Sequence, residues 1–174
     1  MRPLAPETVY DEHTIRERVE ELASAITRDT PDGSDLAVLV VLKGAFVFAA
    51  DLLRRIHRPL RVGFLEIHKD PERPGAADFI FTHPFRIKDA DLLLIEDILD
   101  TGVTLSVLLQ RLRARRPTRI RTAILLDKES RRQVDVPIDY VGFSVPDRWV
   151  VGYGLDDDER YRNLPDIRFV EENG

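Results

Sequence analysis

The sequence predicts an α/β protein: a central, mostly parallel sheet flanked by helices, with a small hood built from the terminal segments. Three observations carry this. The runs Leu36–Leu42 and Leu92–Ile95 are wholly apolar, which suits strands buried on both faces of a parallel sheet. Segments with helical spacing alternate with such runs. Turn-forming clusters separate the two kinds of segment, the rhythm of a sheet with right-handed crossovers. Ligands in such sheets bind at the carboxyl ends of the strands.

The elements follow in order. Over Thr14–Ile26, residues Ile15, Val19, Leu22, Ala23 and Ile26 share one helical face. Asp29–Ser34 is turn chemistry, and the strand Leu36–Leu42 follows it. After Lys43-Gly44, Phe46, Ala49, Leu52, Leu53 and Ile56 give Ala45–Ile56 a helical stripe. Leu60–Ile67 reads as a strand, Lys69–Ala77 as a loop and Asp78–Thr82 as a short strand. Asp91–Ile95 is the next strand, and it leads through Glu96–Thr104 into a helix over Leu105–Arg115. Arg119–Leu126, Tyr140–Phe143 and Arg148–Val151 read as strands, and Leu155–Gly174 as mostly irregular. The reading is one domain, with a core over about 36–145 and a hood from 1–13 and 146–174.

Composition narrows the class. With 174 residues the chain is long enough to bury a sizeable core. It has no cysteine, which excludes disulfides and thiolate metal sites. No apolar run approaches the roughly 20 residues of a membrane span, and residues 1–7 lack the apolar stretch of a signal peptide. A cytoplasmic location is the expectation. The 26 basic residues against 31 acidic ones give a net charge of -5, which argues against a nucleic-acid coat. The arginine-rich Arg111–Arg121 reads as a solvated helix end. His13, His57, His68 and His83 are scattered, without metal-ligand spacing, and read as surface or packing residues.

The segment Asp91-Leu-Leu-Leu-Ile-Glu96-Asp97-Ile-Leu-Asp100-Thr101-Gly102-Val103-Thr104 carries the chemistry. An apolar strand delivers Glu96 and Asp97 to its end, and a short loop presents Asp100 to Thr104 at a helix start. Backbone N–H groups and the helix dipole there favour a phosphate, the threonine hydroxyls add donors, and Gly102 permits close approach. Two adjacent carboxylates would repel that phosphate; they suit a sugar's hydroxyls or a magnesium ion. A loop holding an anion at one end and a diol at the other is a ribose-phosphate site. An N-cap role explains Thr101 or Thr104, but not Glu96, Asp97 and Asp100 together. The Walker pattern is absent.

Glu96–Thr104 resembles the phosphoribosyl-pyrophosphate signature of the type I phosphoribosyltransferases. Val41–Leu52, with Lys43-Gly44 at its head, is similar to the first active-site loop of the hypoxanthine-guanine branch. Pro146–Pro165, with Trp149, Val150, Asp156 and Arg162, is similar to that branch's C-terminal hood. The three motifs stand in the family's order.

The resemblance implies a purine salvage enzyme. It would transfer the phosphoribosyl group of phosphoribosyl pyrophosphate to hypoxanthine or guanine, giving a nucleoside monophosphate and pyrophosphate. By the same resemblance Thr101, Gly102, Val103 and Thr104 hold the 5'-phosphate. Glu96 and Asp97 bind the ribose hydroxyls, directly or through Mg2+. Asp100 is the general acid or base at the purine ring nitrogen. Lys43 and Gly44 bind pyrophosphate through a non-proline cis peptide, and Arg162 touches it too. Lys128 donates to the 6-oxo group, Trp149 stacks on the base, and the Val150 backbone reads its exocyclic substituent. Asp156 binds a second magnesium. The resemblance also implies a homodimer or homotetramer. Read on its own, Lys128 has Asp127 and Glu129 beside it as simple ion-pair partners, and a lone tryptophan more often packs in a core.

Two departures stand out. The family's mobile loop carries a Ser-Tyr pair that folds over the reacting centre; here the loop is His68-Lys69-Asp70-Pro71-Glu72-Arg73-Pro74-Gly75-Ala76-Ala77, without the pair and stiffened by two prolines. Asp157 stands where the family often has an aromatic residue, which crowds acid near the second metal site. The altered lid motivates a second reading, a nucleotide-binding regulator that kept the site and lost catalysis.

Overall fold

The computed structural model describes residues 2–69 and 77–171. The expected lid falls mainly on residues 70–76, outside the described residues. In chain order the elements are β1 (Leu4–Tyr10), α1 (Glu12–Asp29), β2 (Leu36–Leu42), α2 (Phe46–Leu53), β3 (Leu60–Lys69), β4 (Ala77–Phe81), β5 (Asp91–Leu99), α3 (Val103–Arg113), β6 (Arg119–Asp127), β7 (Tyr140–Ser144), β8 (Val150–Val151) and β9 (Ile167–Val170). A single 3-10 turn spans Glu129–Arg131 between β6 and β7.

Six strands form one sheet in the order β4-β3-β2-β5-β6-β7. All neighbours run parallel except β3 and β4. The expected α/β architecture is therefore present. Side chains along β2 alternate between two cores, as the pleat requires. Leu36, Val38 and Val40 join the cluster that holds Ile15, Leu22, Phe48 and Leu52 of α1 and α2. Ala37, Leu39 and Val41 join the one that holds Leu105, Leu108 and Leu112 of α3. Helices thus cover both faces, which explains the unbroken apolar runs. Each fully buried leucine or isoleucine contributes about 1.5–3 kcal/mol, so the central strands are the most firmly held part of the chain.

The strand order reverses between β2 and β5. β2 continues to β3 on one side, and β5 continues to β6 on the other. The crossovers leave their strands in opposite directions there, and a crevice opens at the carboxyl ends of β2 and β5.

A second sheet of three strands, in the order β1-β9-β8, is antiparallel throughout. It adds two strands to the sequence reading. The tail beyond Leu155 is not wholly irregular, because Ile167–Val170 is a strand, and Leu4–Tyr10 is a strand too. Each is ordered by pairing with a partner about 160 residues away, Leu4 opposite Val170. The expected strand at Arg148–Val151 shortens to Val150–Val151. Tyr10 fastens this sheet to the larger one by stacking on Phe143 at 4.0 Å and donating to Ser144 O at 2.8 Å.

Some boundaries also move. α1 begins two residues early because Asp11 caps it, its Oδ1 accepting from Thr14 N at 2.7 Å. α2 stops at Leu53 rather than Ile56. β5 continues through Glu96 and Asp97 to Leu99, paired with β6 as far as Asp127. Four arginines of Arg111–Arg121 serve the fold. Arg111 and Arg115 lie over Phe79 and Phe81 of β4 at 4.7 and 4.1 Å. Arg119 and Arg121 meet the buried Asp91 at 2.6 and 2.9 Å. Among the described residues, no helix is long and apolar enough to cross a membrane.

Candidate active site

A cleft of about 620 Å³ occupies the crevice at the ends of β2 and β5. Lys43, Gly44, Glu96, Asp97, Asp100, Thr101, Gly102, Thr104, Lys128, Trp149, Val150, Asp156 and Arg162 all line it. Of the residues singled out from the sequence only Val103, the first residue of α3, is not in the lining. Three segments far apart in the chain thus meet where the sheet topology opens.

The first wall follows β2. The Leu42-Lys43 peptide is cis. Gly44 is packed so closely that a Cβ there would lie 1.5 Å from Asp97 Oδ2. Behind it, a Cβ on Gly154 would lie 2.2 Å from Gly44 O, so the 152–155 turn presses on the Lys43-Gly44 loop. Tyr153 secures that turn by donating to Asp51 Oδ2 of α2 at 2.7 Å.

The second wall is the end of β5 and its loop. Gly102 occupies the N-cap of α3 with φ +84, and no side chain caps the helix. A Cβ on Gly102 would come 2.4 Å from Val134 O, so both conformation and space require glycine. The capping explanation for Thr104 therefore fails. Thr101 Oγ1 lies 3.4 Å from Val103 N, beyond good hydrogen-bond length. Thr101 is instead held through its carbonyl, which accepts from Gln133 N and Val134 N at 2.9 and 3.1 Å. Asp97 Oδ1 accepts from Ile98 N at 2.9 Å, yet burial pushes this carboxyl above its usual range.

Charged groups form two chains across the cleft. On one side Glu159 joins the two cations, accepting from Lys43 Nζ at 2.9 Å and Arg162 Nη2 at 3.1 Å. These partners hold the Glu159 carboxyl below its usual range. Arg162 also meets Asp156 at 2.9 Å. On the other side Arg131 Nε donates to Asp100 Oδ1 at 2.9 Å and its Nη1 reaches Asp147 at 3.3 Å. Asp147 in turn lies 3.7 Å from the buried Lys128 Nζ. The alternative reading, in which Lys128 simply pairs with its sequence neighbours, is not what the side chains do. Asp127 binds Arg132 instead, and Lys128 is left facing the cleft.

Trp149 is not a core residue; it is 50% exposed at the cleft edge, and its Nε1 donates to Asp156 O at 3.2 Å. Asp157 corrects another expectation. It does not crowd the cleft with acid but turns away and pairs with Arg2 at 2.7 Å, which keeps its carboxyl below its usual range.

Sequence reasoning missed Glu159, Arg131 and Asp147, and it missed that His68 and Glu66 line the cleft, paired at 3.0 Å. Glu159 stands three residues before Arg162, a spacing that could have flagged it. Arg131 and Asp147 show no local signal, since the turn after β6 brings the first and the loop after β7 the second to Asp100 and Lys128. Among the described residues no group of three or more His, Asp or Glu side chains is gathered closely enough to hold a metal ion by itself.

Comparison with known proteins gives this arrangement a family. A family model described as a phosphoribosyl transferase domain matches residues 6–158. The chain is 38% identical to the hypoxanthine-guanine phosphoribosyltransferase of Dictyostelium discoideum, across 97% of each chain. It is 41% identical to that of Bacillus subtilis, covering 91% of this chain and 89% of that protein. Among solved structures, a hypoxanthine-guanine phosphoribosyltransferase from Bacillus anthracis superposes with a TM-score of 0.91 at 38% identity, covering 97% of this chain and 99% of that one. None of these supports the reading as a regulator without catalysis. Sequence, fold and the position of the cleft agree: the chain belongs to the phosphoribosyl transferase family, among the glycosyltransferase enzymes of its hypoxanthine-guanine branch.

Proposed function

We propose that this chain is a purine salvage enzyme that moves the phosphoribosyl group from phosphoribosyl pyrophosphate to hypoxanthine or guanine, releasing pyrophosphate. One observation carries the reading: the two cations, the carboxylates, the uncapped helix start and the aromatic face line one cleft at the topological switch. The 5'-phosphate sits at the start of α3, on the backbone of Thr101–Thr104 and the two hydroxyls. Glu96 and Asp97 meet the ribose diol.

Lys43 and Arg162 receive the pyrophosphate. Glu159 links these two cations, and the diphosphate competes with its carboxylate for them. The purine stacks on Trp149, with Lys128 at its 6-oxo oxygen and the Val150 backbone at its exocyclic edge. A lysine donor at that oxygen disfavours an amino group there, which selects against adenine. Asp100 exchanges the proton of the attacking ring nitrogen, with Arg131 fixing the carboxylate. As the bond to pyrophosphate breaks, positive charge grows on the ribose near Glu96 and Asp97, and negative charge on the leaving group near Lys43 and Arg162.

The donor set fits magnesium. Glu96, Asp97 and Asp156 offer hard oxygen ligands on the cleft wall, and an open site suits an ion that keeps waters and takes oxygens from a phosphate substrate. When bound, the ion supplies charge neutralisation to the diphosphate leaving group. A homodimer or homotetramer in the cytoplasm completes the proposal, with no nucleic-acid partner.

A steady-state assay with phosphoribosyl pyrophosphate, Mg2+ and each of hypoxanthine, guanine, xanthine and adenine tests it. Nucleotide forms from hypoxanthine or guanine. No product from any of the four, with folded protein, overturns the proposal.

A further inference from the structure

Arg2 sits behind the aromatic platform. Its guanidinium carbon is 4.4 Å from the Trp149 ring centroid. Trp149 lines the cleft and Arg2 does not, so the cation covers the ring face turned away from the purine position. Asp157 holds the guanidinium, and further bonds fix the Arg2 backbone. Its Nη2 and Nε donate to Asp157 Oδ1 at 2.7 and 3.1 Å, and Arg2 N donates to Asp157 Oδ2 at 2.8 Å. Tyr161 Oη donates to Arg2 O at 2.9 Å. The indole is half exposed, and its Nε1 bond to Asp156 O, at 3.2 Å, fixes one edge. A ring tied at one edge keeps rotational freedom, and stacking a base on it must remove that freedom.

We propose that Arg2 and Asp157 are positioning residues for purine binding. Asp157 fixes the guanidinium, and the guanidinium holds the Trp149 ring from behind by a cation–π contact, so that the ring meets the base already oriented. The inference rests on the reading of Trp149 as the base platform. It gives Asp157 a function, at a position where the resemblance leads one to expect an aromatic residue. The pair acts through the ring, so its removal weakens the purine end of the cleft and leaves the pyrophosphate end alone.

Trp149 is the only tryptophan in the chain, so its emission reports this ring and nothing else. In the parent protein, titration with GMP changes that emission. Arg2→Met keeps an unbranched, flexible stem and removes the guanidinium and its charge. It raises the KM for hypoxanthine and the Kd for GMP about two- to five-fold, the range of one exposed cation–π contact. It leaves the KM for phosphoribosyl pyrophosphate and kcat unchanged, and it increases acrylamide quenching of the free protein. Asp157→Asn releases the guanidinium and shifts the same quantities in the same direction, while Arg2→Lys, which retains a cation, falls between Arg2→Met and the parent. An unchanged GMP affinity in both Arg2→Met and Asp157→Asn overturns the proposal. So does a uniform loss in kcat and both KM values, which marks a purely structural role. If GMP leaves the parent emission unaltered while the enzyme turns over normally, the platform reading fails and takes this inference with it. That result is distinct from a parent that responds and a variant that binds equally well.

Discussion

Gly44→Ala places a methyl group where Asp97 already is. Gly44 is not in the left-handed region, so alanine fits its backbone and the effect is purely steric. The new Cβ would lie 1.5 Å from Asp97 Oδ2 and 2.5 Å from Cγ, but 3.2 Å from Asp97 Cβ. The carboxylate must therefore swing out while its Cβ stays nearly in place. That movement takes the side chain off its preferred rotamer, at about 0.5–1.5 kcal/mol. It also breaks the bond from Ile98 N to Asp97 Oδ1, worth about 0.5–1.5 kcal/mol. The sum, about 1–3 kcal/mol, agrees with the usual cost of overpacking. In an Asp97→Ala background the clashing atoms are gone, and a shift of a few tenths of an ångström accommodates the methyl. Urea denaturation of the parent, both single variants and the double variant measures this as a coupling energy of about 1–3 kcal/mol. Equal cost of Gly44→Ala in both backgrounds would refute the steric argument. Because Asp97 also faces the ribose in the proposed mechanism, stability rather than turnover is the informative readout.

Other predictions address charge and chemistry. Burial raises the folded-state pKa of Asp97 above its unfolded value of 3.8. Its ionisation therefore costs stability as pH rises through the folded pKa, and that cost is absent below about pH 4. Asp97→Asn should raise Tm at pH 7, and thermal melts should show the gain shrinking as pH falls toward 4; a gain that persists at low pH contradicts this. Asp100→Asn should lower kcat by roughly two to four decades while phosphoribosyl pyrophosphate still binds, which single-turnover and binding measurements separate. Lys128→Met removes the cleft-facing ammonium donor and keeps most of the unbranched side chain. It should reduce kcat/KM for hypoxanthine about 10- to 100-fold, the worth of one charge-assisted hydrogen bond, and narrow the preference over adenine.

The central strands and their helices were legible because burial on both faces writes itself into local composition. Leu36–Leu42 and Leu92–Ile95 have no polar interruption, and the stripes at Ile15–Ile26 and Leu105–Leu112 have helical period. The phosphoribosyl loop was legible for a related reason: one contiguous segment, Glu96–Thr104, carries acids, hydroxyls and a glycine that a helix start requires to be adjacent. β1 and β9 left no such mark. Each takes its order from a strand at the other end of the chain, and pairing across that distance depends on the fold rather than on either segment's residues.

The sequence by itself therefore determined the architecture and the residue types at the ends of β2 and β5, since periodicity and adjacency are properties of short stretches. Only the tertiary structure decided which charges meet. It gave Lys128 to Asp147 rather than to its neighbours, joined Lys43 to Arg162 through Glu159, and sent Asp157 away from the cleft to Arg2. Ion pairing acts over a few ångströms of space, and the side chains that come within that reach are set by how loops fold back over the sheet.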